Sequence, residues 1–359
     1  MIPYFLLLLL PILIGLFGQK YRIRFGEKTL YETRTSSVDL FMLIFLLLLC
    51  FRGLQVGNDT VQYKVLFEEY SSHSIAVILD NSGHELGYRF LNNLLGRITD
   101  QYQVLLVVTS VLSVVPLWYF YRCEVEKPIL TIVLFLSVAP FVMYFSGIRQ
   151  AIAMGFAVPC WYAAKQKKKW RFVLLVLVAI QFHTSAFMLF VIYPLFYARI
   201  TKKWLFVVVP IMLAVYSFKE IIFGVLFQLL WKEFEEADPT GAITTLILLI
   251  LYGIYSYVIP DEKQMDSDTT AMRNLLLLSI MIQFFAMLHP LSMRMNYYFL
   301  IFVPLLLPKL ANRSRKDLKM VADVSVGVLI VYFTYYFIKT IVQDDDPLNI
   351  IPYIPFWKN

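Results

Sequence analysis

Three arginines stand beside long apolar runs of the sequence: Arg52, Arg149 and Arg294. Guanidinium groups bind phosphate oxygens through two parallel hydrogen bonds, so arginines at a membrane edge are candidates for a phosphate or diphosphate site. The distribution of the other cations places all three on the outer side of a membrane, where lysine and arginine are normally scarce. A charge kept there against this bias indicates an anionic partner.

The composition predicts a membrane protein. Hydrophobic residues make up 59% of the 359 residues and charged residues only 16%. Since about twenty apolar residues cross a bilayer, we predict an all-α, polytopic integral membrane protein with roughly 11–12 transmembrane segments. It forms one transmembrane domain, residues 1–359. The crossings are predicted near 2–17, 38–52, 101–121, 128–146, 149–164, 204–218, 241–260, 274–291, 295–310 and 320–341, with a further short pair near 171–198.

Lysine and arginine set the predicted orientation. With both termini outside, the inner stretches 20–34, 122–127, 165–171, 199–203, 263–273 and 309–319 hold 22 of the 32 Lys and Arg residues. The net charge of +7 is thereby explained by topology, and nucleic acid is not an expected partner. The outer side carries two large loops, 52–100 and 219–240, and the tail 342–359, which we expect to fold back over the outer face.

The segment 171–198 has cationic clusters at both ends, and both clusters favour the inner side. Two short halves broken near His183 satisfy both flanks, and short or broken membrane helices line cavities. We therefore predict a re-entrant hairpin with His183 at the base of an outward-facing cavity. A single tilted helix with one misoriented loop is the alternative.

Two ionisable residues are candidates for proton transfer. Asp59 follows the glycine-containing stretch after Arg52, where it could cap the helix that starts near residue 61 or act as a base. His183 is the only ionisable side chain in its hydrophobic stretch, and histidine exchanges protons near neutral pH. Its alternative is a packing role through a hydrogen bond.

The surroundings of the other two arginines are polar and aromatic. Arg149 opens a predicted helix whose amino-terminal partial charge would add to an anion site, with Gln150 beside it. Arg294 precedes Asn296 and Tyr297, which could bond and stack against sugars. Snorkelling of these arginines to lipid headgroups is the alternative. The sequence contains no P-loop, zinc-protease or D-x-D motif, and we expect neither a metal nor a cofactor.

Several short motifs follow one another in a fixed order: Arg52 with Gly57, Asp59, Thr60 and Tyr63, then SGIRQAIA (146–153), FHTSA (182–186), MRMNYY (293–298) and a terminal Pro-Tyr (352–353). In this order they resemble the EpsG family, which is similar to Wzy-type O-antigen and exopolysaccharide polymerases of the bacterial inner membrane. The glycine directly after Arg52 and the five-residue spacing to Gly57 are features of this chain's first motif. The resemblance runs from about residue 50 to the carboxyl terminus.

The resemblance implies polymerisation of oligosaccharide repeat units on undecaprenyl diphosphate at the periplasmic face. The partners would be the undecaprenyl-diphosphate-linked oligosaccharide and the lipid bilayer, with a chain-length regulator as a further candidate. Arg52, Arg149 and Arg294 would hold the diphosphate, while Asp59 or His183 would take the acceptor proton. Gln150, Asn296, Tyr297 and Tyr63 would contact sugar. A ligase that transfers finished glycan, and a transporter or flippase for lipid-linked glycans, are the alternatives.

Overall fold

The protein is helical throughout most of its length. A computed structural model describes the backbone of residues 1–17, 22–25, 28–80, 83–137, 140–230, 239–343 and 348–358, and the side chains of these residues except 22–34 and 226–240. Residues 231–238 of the predicted outer loop and 344–347 of the predicted tail lie outside the described residues. The only strands in the described part are β1 (Arg22–Phe25) and β2 (Lys28–Glu32), an antiparallel hairpin.

Several helices are long and apolar enough to cross a membrane, which confirms the prediction of an all-α, polytopic membrane protein. Within the described ranges four helices qualify alone, and seven spans result if each of three bent pairs is counted as one. The four are Tyr102–Glu124, Gly241–Val258, Ser267–Ala286 and Lys316–Gln343. Shorter apolar helices, Ile2–Phe17, Thr35–Phe51 and Thr184–Tyr197, occupy other predicted crossings. The sidedness of the termini stays a prediction.

The chain forms two compact units, each described here by itself. The first comprises Met1–Phe187 and Gly327–Asn359, and the second Met188–Val326. The single transmembrane domain over residues 1–359 stays a prediction. Helices of the first unit are α1 (Ile2–Phe17), α2 (Thr33–Phe51), α3 (Thr60–Ser72), α4 (Ile75–Asp80), α5 (Leu86–Gly96), α6 (Tyr102–Glu124), α7 (Pro128–Ser137), α8 (Pro140–Ser146), α9 (Ile148–Gly155), α10 (Ala157–Lys165) and α11 (Lys169–Ile180).

The second unit is built around one helix that contacts most of the others. Its helices are α12 (Ile192–Tyr197), α13 (Leu205–Ser217), α14 (Lys219–Leu230), α15 (Pro239–Val258), α16 (Ser267–Ala286), α17 (Pro290–Leu300) and α18 (Val303–Asn312), and α19 (Lys319–Gln343) runs on into the first unit. Helix α16 packs against α12, α13, α14, α15, α17 and α18. Most of its residues are buried accordingly.

The predicted outer loop 52–100 is a packed helical segment with an apolar core of its own. Aromatic and aliphatic side chains of α3, α4 and α5 cluster with the start of α6 and the first residue of α9, namely Tyr63, Phe67, Tyr70, Ile78, Tyr88, Leu95, Tyr102, Leu105, Leu106 and Ile148. Burial of such side chains contributes about 1.5–3 kcal/mol each. The segment is therefore fixed against the helix that carries Arg149.

Two predicted boundaries differ from the structure. The predicted crossings 274–291 and 295–310 leave residues 292–294 as a turn, but α17 already begins at Pro290, because the side chain of His289 accepts a hydrogen bond from Leu291 N (3.0 Å) and caps the helix. The predicted crossing 295–310 is also not one straight helix, since α17 and α18 meet at a 46° bend. Arg294 consequently lies one turn inside a helix.

The break predicted near His183 is confirmed. Helix α11 ends at Ile180, and a 3₁₀ helix runs from Thr184 to Val191 before α12 begins. Residues 181–183 thus separate two short apolar halves. Their arrangement as a hairpin stays a prediction.

The end of the described chain is hydrogen-bonded to the loop after Arg52. Gly53 N donates to Ile354 O (2.7 Å), Gly57 N to Asn349 O (2.8 Å) and Asn58 N to Leu348 O (3.1 Å). The tail therefore covers residues 52–58, which agrees with the expectation that it folds back. Gly57 has a φ of +94°, and a β-carbon added there would lie 2.3 Å from the carbonyl oxygen of Phe145.

Replacing Gly57 by alanine should destabilise the protein. Positive φ costs a residue with a β-carbon about 1–2 kcal/mol, and the backbone clash with Phe145 adds to that cost. The melting temperature of the detergent-purified protein measures the effect. Gly327→Ala is the matched control, because a β-carbon at that helical position meets no atom within 4 Å. Equal melting temperatures for the two variants would contradict the described loop conformation.

The inner position of residues 199–203 can be tested by cysteine labelling. The starting protein carries Cys123→Ser, because Cys123 is exposed whereas Cys50 and Cys160 are buried. In intact cells an impermeant maleimide should label Glu69→Cys, in the outer segment, and spare Lys203→Cys until the membrane is permeabilised. Both side chains are exposed, so burial cannot explain a difference. Labelling of Lys203→Cys in intact cells would show that the predicted topology is wrong.

Candidate active site around Arg149

Arg149 lies at a tight turn between two helices of the first unit. Helix α8 ends at Ser146 and α9 begins at Ile148, so only Gly147 separates them. This confirms the short turn predicted from the sequence. Arg149 is the second residue of α9, and the first turn of a helix carries partial positive charge.

The guanidinium of Arg149 is paired with a carboxylate that the sequence analysis did not single out. Arg149 Nη1 lies 2.6 Å from Glu85 Oε2, and the two side chains are 22% and 16% exposed. The same nitrogen lies 3.4 Å from His84 Nδ1. Arg149 Nε is buried and donates no hydrogen bond. The charge of Arg149 is therefore paired with Glu85, and one buried donor of its guanidinium has no acceptor in the described structure.

The other carboxylate oxygen of Glu85 is hydrogen-bonded to the break in the 171–198 segment. Glu85 Oε1 accepts hydrogen bonds from Thr184 N (3.0 Å) and Thr184 Oγ1 (3.2 Å). Next to it, His183 Nδ1 lies 2.6 Å from Ser185 Oγ. One carboxylate thus joins Arg149 to the FHTSA motif, and it brings two residues predicted for the site, Arg149 and His183, into one cluster.

The charges of this cluster shift the pKa of its members. Partial burial pushes the pKa of Glu85 upward, but the Arg149 guanidinium and the Thr184 hydrogen bond outweigh it and lower the pKa below the ordinary value. Burial and the charge of Arg149 also lower the pKa of His84. At neutral pH the site therefore holds an ionised carboxylate next to an uncharged imidazole.

Two tyrosines and Asp59 border Arg149. The guanidinium carbon lies 5.9 Å from the centre of the Tyr88 ring, and Tyr88 meets Tyr63 edge-to-face at 5.9 Å. Tyr63 is close enough to interact electrostatically with both Arg149 and Asp59. Asp59 occupies the N-cap position of α3, as predicted, but its side chain makes no capping hydrogen bond. Its half-buried carboxylate therefore remains available near the site.

Arg52 occupies a different, enclosed position in the same unit. It is 1% exposed and donates from Nη1 to Leu49 O (2.7 Å), while Nε and Nη2 are buried and donate no hydrogen bond. Tyr102 is close enough to interact electrostatically with Arg52 on one side and Tyr63 on the other. Arg52 thus connects to the Arg149 cluster through tyrosines and lies beneath the chain's tail.

The remaining predicted site residues divide between the two units. Gln150 is 1% exposed in α9 of the first unit. Asn296 is fully buried in the second unit, where its Nδ2 donates to Ser279 O (3.1 Å) and Gln283 Oε1 (2.9 Å) and so joins α17 to α16. Arg294 is exposed, and Tyr297 is close enough to interact with it electrostatically. Their roles in sugar or diphosphate binding stay predictions.

A family comparison covers all of these residues. The model of the EpsG family matches residues 38–354, which includes every predicted site residue. The chain belongs to the EpsG family. No curated protein and no solved structure matched the chain. Membership of this family and the apolar helices support a role in polysaccharide biosynthesis at a membrane.

The EpsG-family motifs do not by themselves lead to Glu85. It lies 64 residues before Arg149, within the predicted outer loop 52–100. The sequence does contain an indication of a site here. Titratable and aromatic residues are concentrated at 83–89 of the predicted outer loop, in the stretch Gly-His-Glu-Leu-Gly-Tyr-Arg. Nothing in that local pattern shows which cation Glu85 would meet.

The Arg149–Glu85 pair should appear as coupling in a double-mutant cycle. Glu85→Gln leaves the partly buried Arg149 cation unpaired, and Arg149→Gln leaves the partly buried Glu85 carboxylate unpaired. The stability losses of the two single variants should therefore add up to more than the loss in the double variant. We expect a coupling free energy of about 1 kcal/mol or more in the unfolding of this EpsG-family protein. Because the pKa of Glu85 is lowered on folding, its stabilisation is present at neutral pH and is lost as pH falls below 4.5. Additive effects at pH 7 would contradict the pairing.

Proposed function

We propose that this protein polymerises lipid-linked oligosaccharide repeat units. It transfers a glycan from undecaprenyl diphosphate to a sugar hydroxyl of another repeat unit at the periplasmic face of the inner membrane. The proposal rests on family membership and on one observation above all: the partly buried Arg149 is paired with Glu85, whose carboxylate also accepts a hydrogen bond from Thr184 of the FHTSA motif.

The reaction places negative charge on the leaving diphosphate and releases a proton from the acceptor hydroxyl. The acceptor oxygen attacks the anomeric carbon, the bond from that carbon to the diphosphate oxygen breaks, and the diphosphate leaves with the bonding electrons. A cation must stabilise the leaving group, and a base must take the acceptor's proton. Arg149 is suited to the first task because its planar guanidinium matches phosphate oxygens. We expect direct displacement with inversion at the anomeric carbon.

Pairing of Arg149 with Glu85 links the two tasks. When the diphosphate takes hydrogen bonds from Arg149, Glu85 loses the cation that lowers its pKa. Partial burial, the largest influence on this carboxyl, then raises its pKa and makes it a stronger base. Donor binding would thereby activate Glu85 toward the acceptor hydroxyl. Asp59 and His183, the bases predicted from the sequence, lie beside the same cluster and are alternatives for this role.

Replacing Arg149 by lysine tests the proposal. Lysine keeps the charge but loses the paired donors, so a strain carrying Arg149→Lys should make single-repeat glycans instead of a polymer ladder. Gel analysis of surface glycan, normalised to the amount of tagged protein in the membrane, is the measurement. Arg97→Lys is the matched control, because Arg97 is an exposed arginine of the same outer segment.

The outcomes separate the alternatives. A full ladder from Arg149→Lys at normal protein level would overturn the assigned site. In the deletion strain, single repeat units on surface glycan support a polymerase, whereas loss of all surface glycan supports a flippase. Polymer that is made but remains on its lipid carrier indicates a ligase.

A further inference from the structure

An apolar groove runs along the second unit between α13, α15 and α16. It encloses about 590 Å³. Its floor is buried, with Tyr257, Ile280 and Phe284 each less than 9% exposed, whereas its rim residues Val209 and Ile254 are 45% and 57% exposed. The groove is therefore open along one side, and its lining is almost entirely hydrocarbon.

The groove extends for the length of α13. Leu205 and Tyr216 line its two ends, and eleven steps of an α helix cover roughly 17 Å, which exceeds one leaflet of the hydrocarbon core. Helix α15 also lines the groove, and its end lies near Leu205, because Tyr257 OH donates a hydrogen bond to Ile200 O (3.1 Å). An extended chain fits such a site better than a compact ligand does.

Cations lie near both ends of the groove. At the Leu205 end the exposed Lys202 and Lys203 directly precede α13. At the same end the guanidinium of Arg273 lies 4.3 Å from the Tyr257 ring centre and is paired with Glu262 through contacts of 2.6 and 3.2 Å. At the other end the ammonium of Lys219 lies 4.2 Å from the Tyr216 ring centre. In the described part of the chain no carboxylate pairs with Lys219.

Lys219 also lies where the backbone turns. The spans Lys202–Ser217 and Lys219–Val225 meet at a 71° bend. If α13 crosses the bilayer, α14 runs close to the membrane plane and Lys219 stands at headgroup depth. Phe223 of α14 stacks on His289 at 5.7 Å, so α14 contacts the N-cap of the helix that carries Arg294.

We propose that this groove binds the polyprenyl chain of the lipid-linked substrate, with Lys219 facing its phosphate. This assignment rests on the proposed function for the class of lipid. A single long chain matches one continuous groove, and its anionic head matches Lys219, whose ammonium lies over the ring of the lining residue Tyr216. The interaction adds chain burial, at about 25 cal/mol per Å² of apolar area, to a charge contact at the interface.

Binding to the purified full-length protein tests the groove without a polymerase assay. The probes are undecaprenyl phosphate, uncharged undecaprenol and phosphatidylglycerol, with bound lipid measured by native mass spectrometry. Val209→Trp fills the groove and should weaken undecaprenyl phosphate binding at least tenfold. Val207→Trp, on the same helix, outside the lining and similarly exposed, should leave it unchanged. Lys219→Gln should weaken binding of the phosphate several-fold and leave undecaprenol unaffected.

Each contrary result has a distinct meaning. Equal binding of undecaprenyl phosphate by Val209→Trp and Val207→Trp would overturn the assignment of the groove to the polyprenyl chain. Equally strong binding of phosphatidylglycerol and undecaprenyl phosphate would also overturn it, because that result indicates a general lipid contact. An equal effect of Lys219→Gln on both polyprenyl probes would overturn the role of Lys219. These results leave the polymerase proposal standing, because its own test is the glycan ladder of Arg149→Lys.

Discussion

Pairing of charge at the edge of an apolar core is the constraint on which the described structure depends. A partly buried cation is costly unless a carboxylate or an acceptor meets it. Arg149 meets Glu85, and Arg273 meets Glu262, in both cases at 2.6 Å. Each pair ties a membrane helix to a segment outside that helix. The ion pairs thus position the loops as well as neutralising charge.

Arg52 meets the same constraint differently. Its guanidinium has one backbone acceptor and lies among tyrosines under the tail. Two of its nitrogens are buried and donate no hydrogen bond. Such donors are expensive in a structural role, and they are common where a ligand or a rearrangement supplies the acceptor. Arg52 is therefore an enclosed cation with two donors that lack acceptors, whereas the side chain of Arg149 is partly exposed.

Apolar length and cation bias were sufficient to predict the helical, polytopic architecture and the break near His183. These features depend on local composition. The start of α17 was predicted too late, because the capping of its first turn by His289 outweighs the polarity of the following residues. Glu85 could not be found from the sequence for another reason. Packing of α3–α5 on α6 and α9 brings it to Arg149, and the spacing of the two residues in the sequence does not predict that contact.

The contact between the tail and the loop after Arg52 has a consequence for biosynthesis. Asn349 donates a side-chain hydrogen bond to Asn58, a partner 291 residues earlier. At translation rates of about 5–20 residues per second, the loop waits roughly 15–60 seconds for that partner to be made. During this interval the backbone donors of Gly53, Gly57 and Asn58 lack their final acceptors. Enclosure of Arg52 therefore has to follow the synthesis of residues 348–355, which come after α1–α19 in the chain.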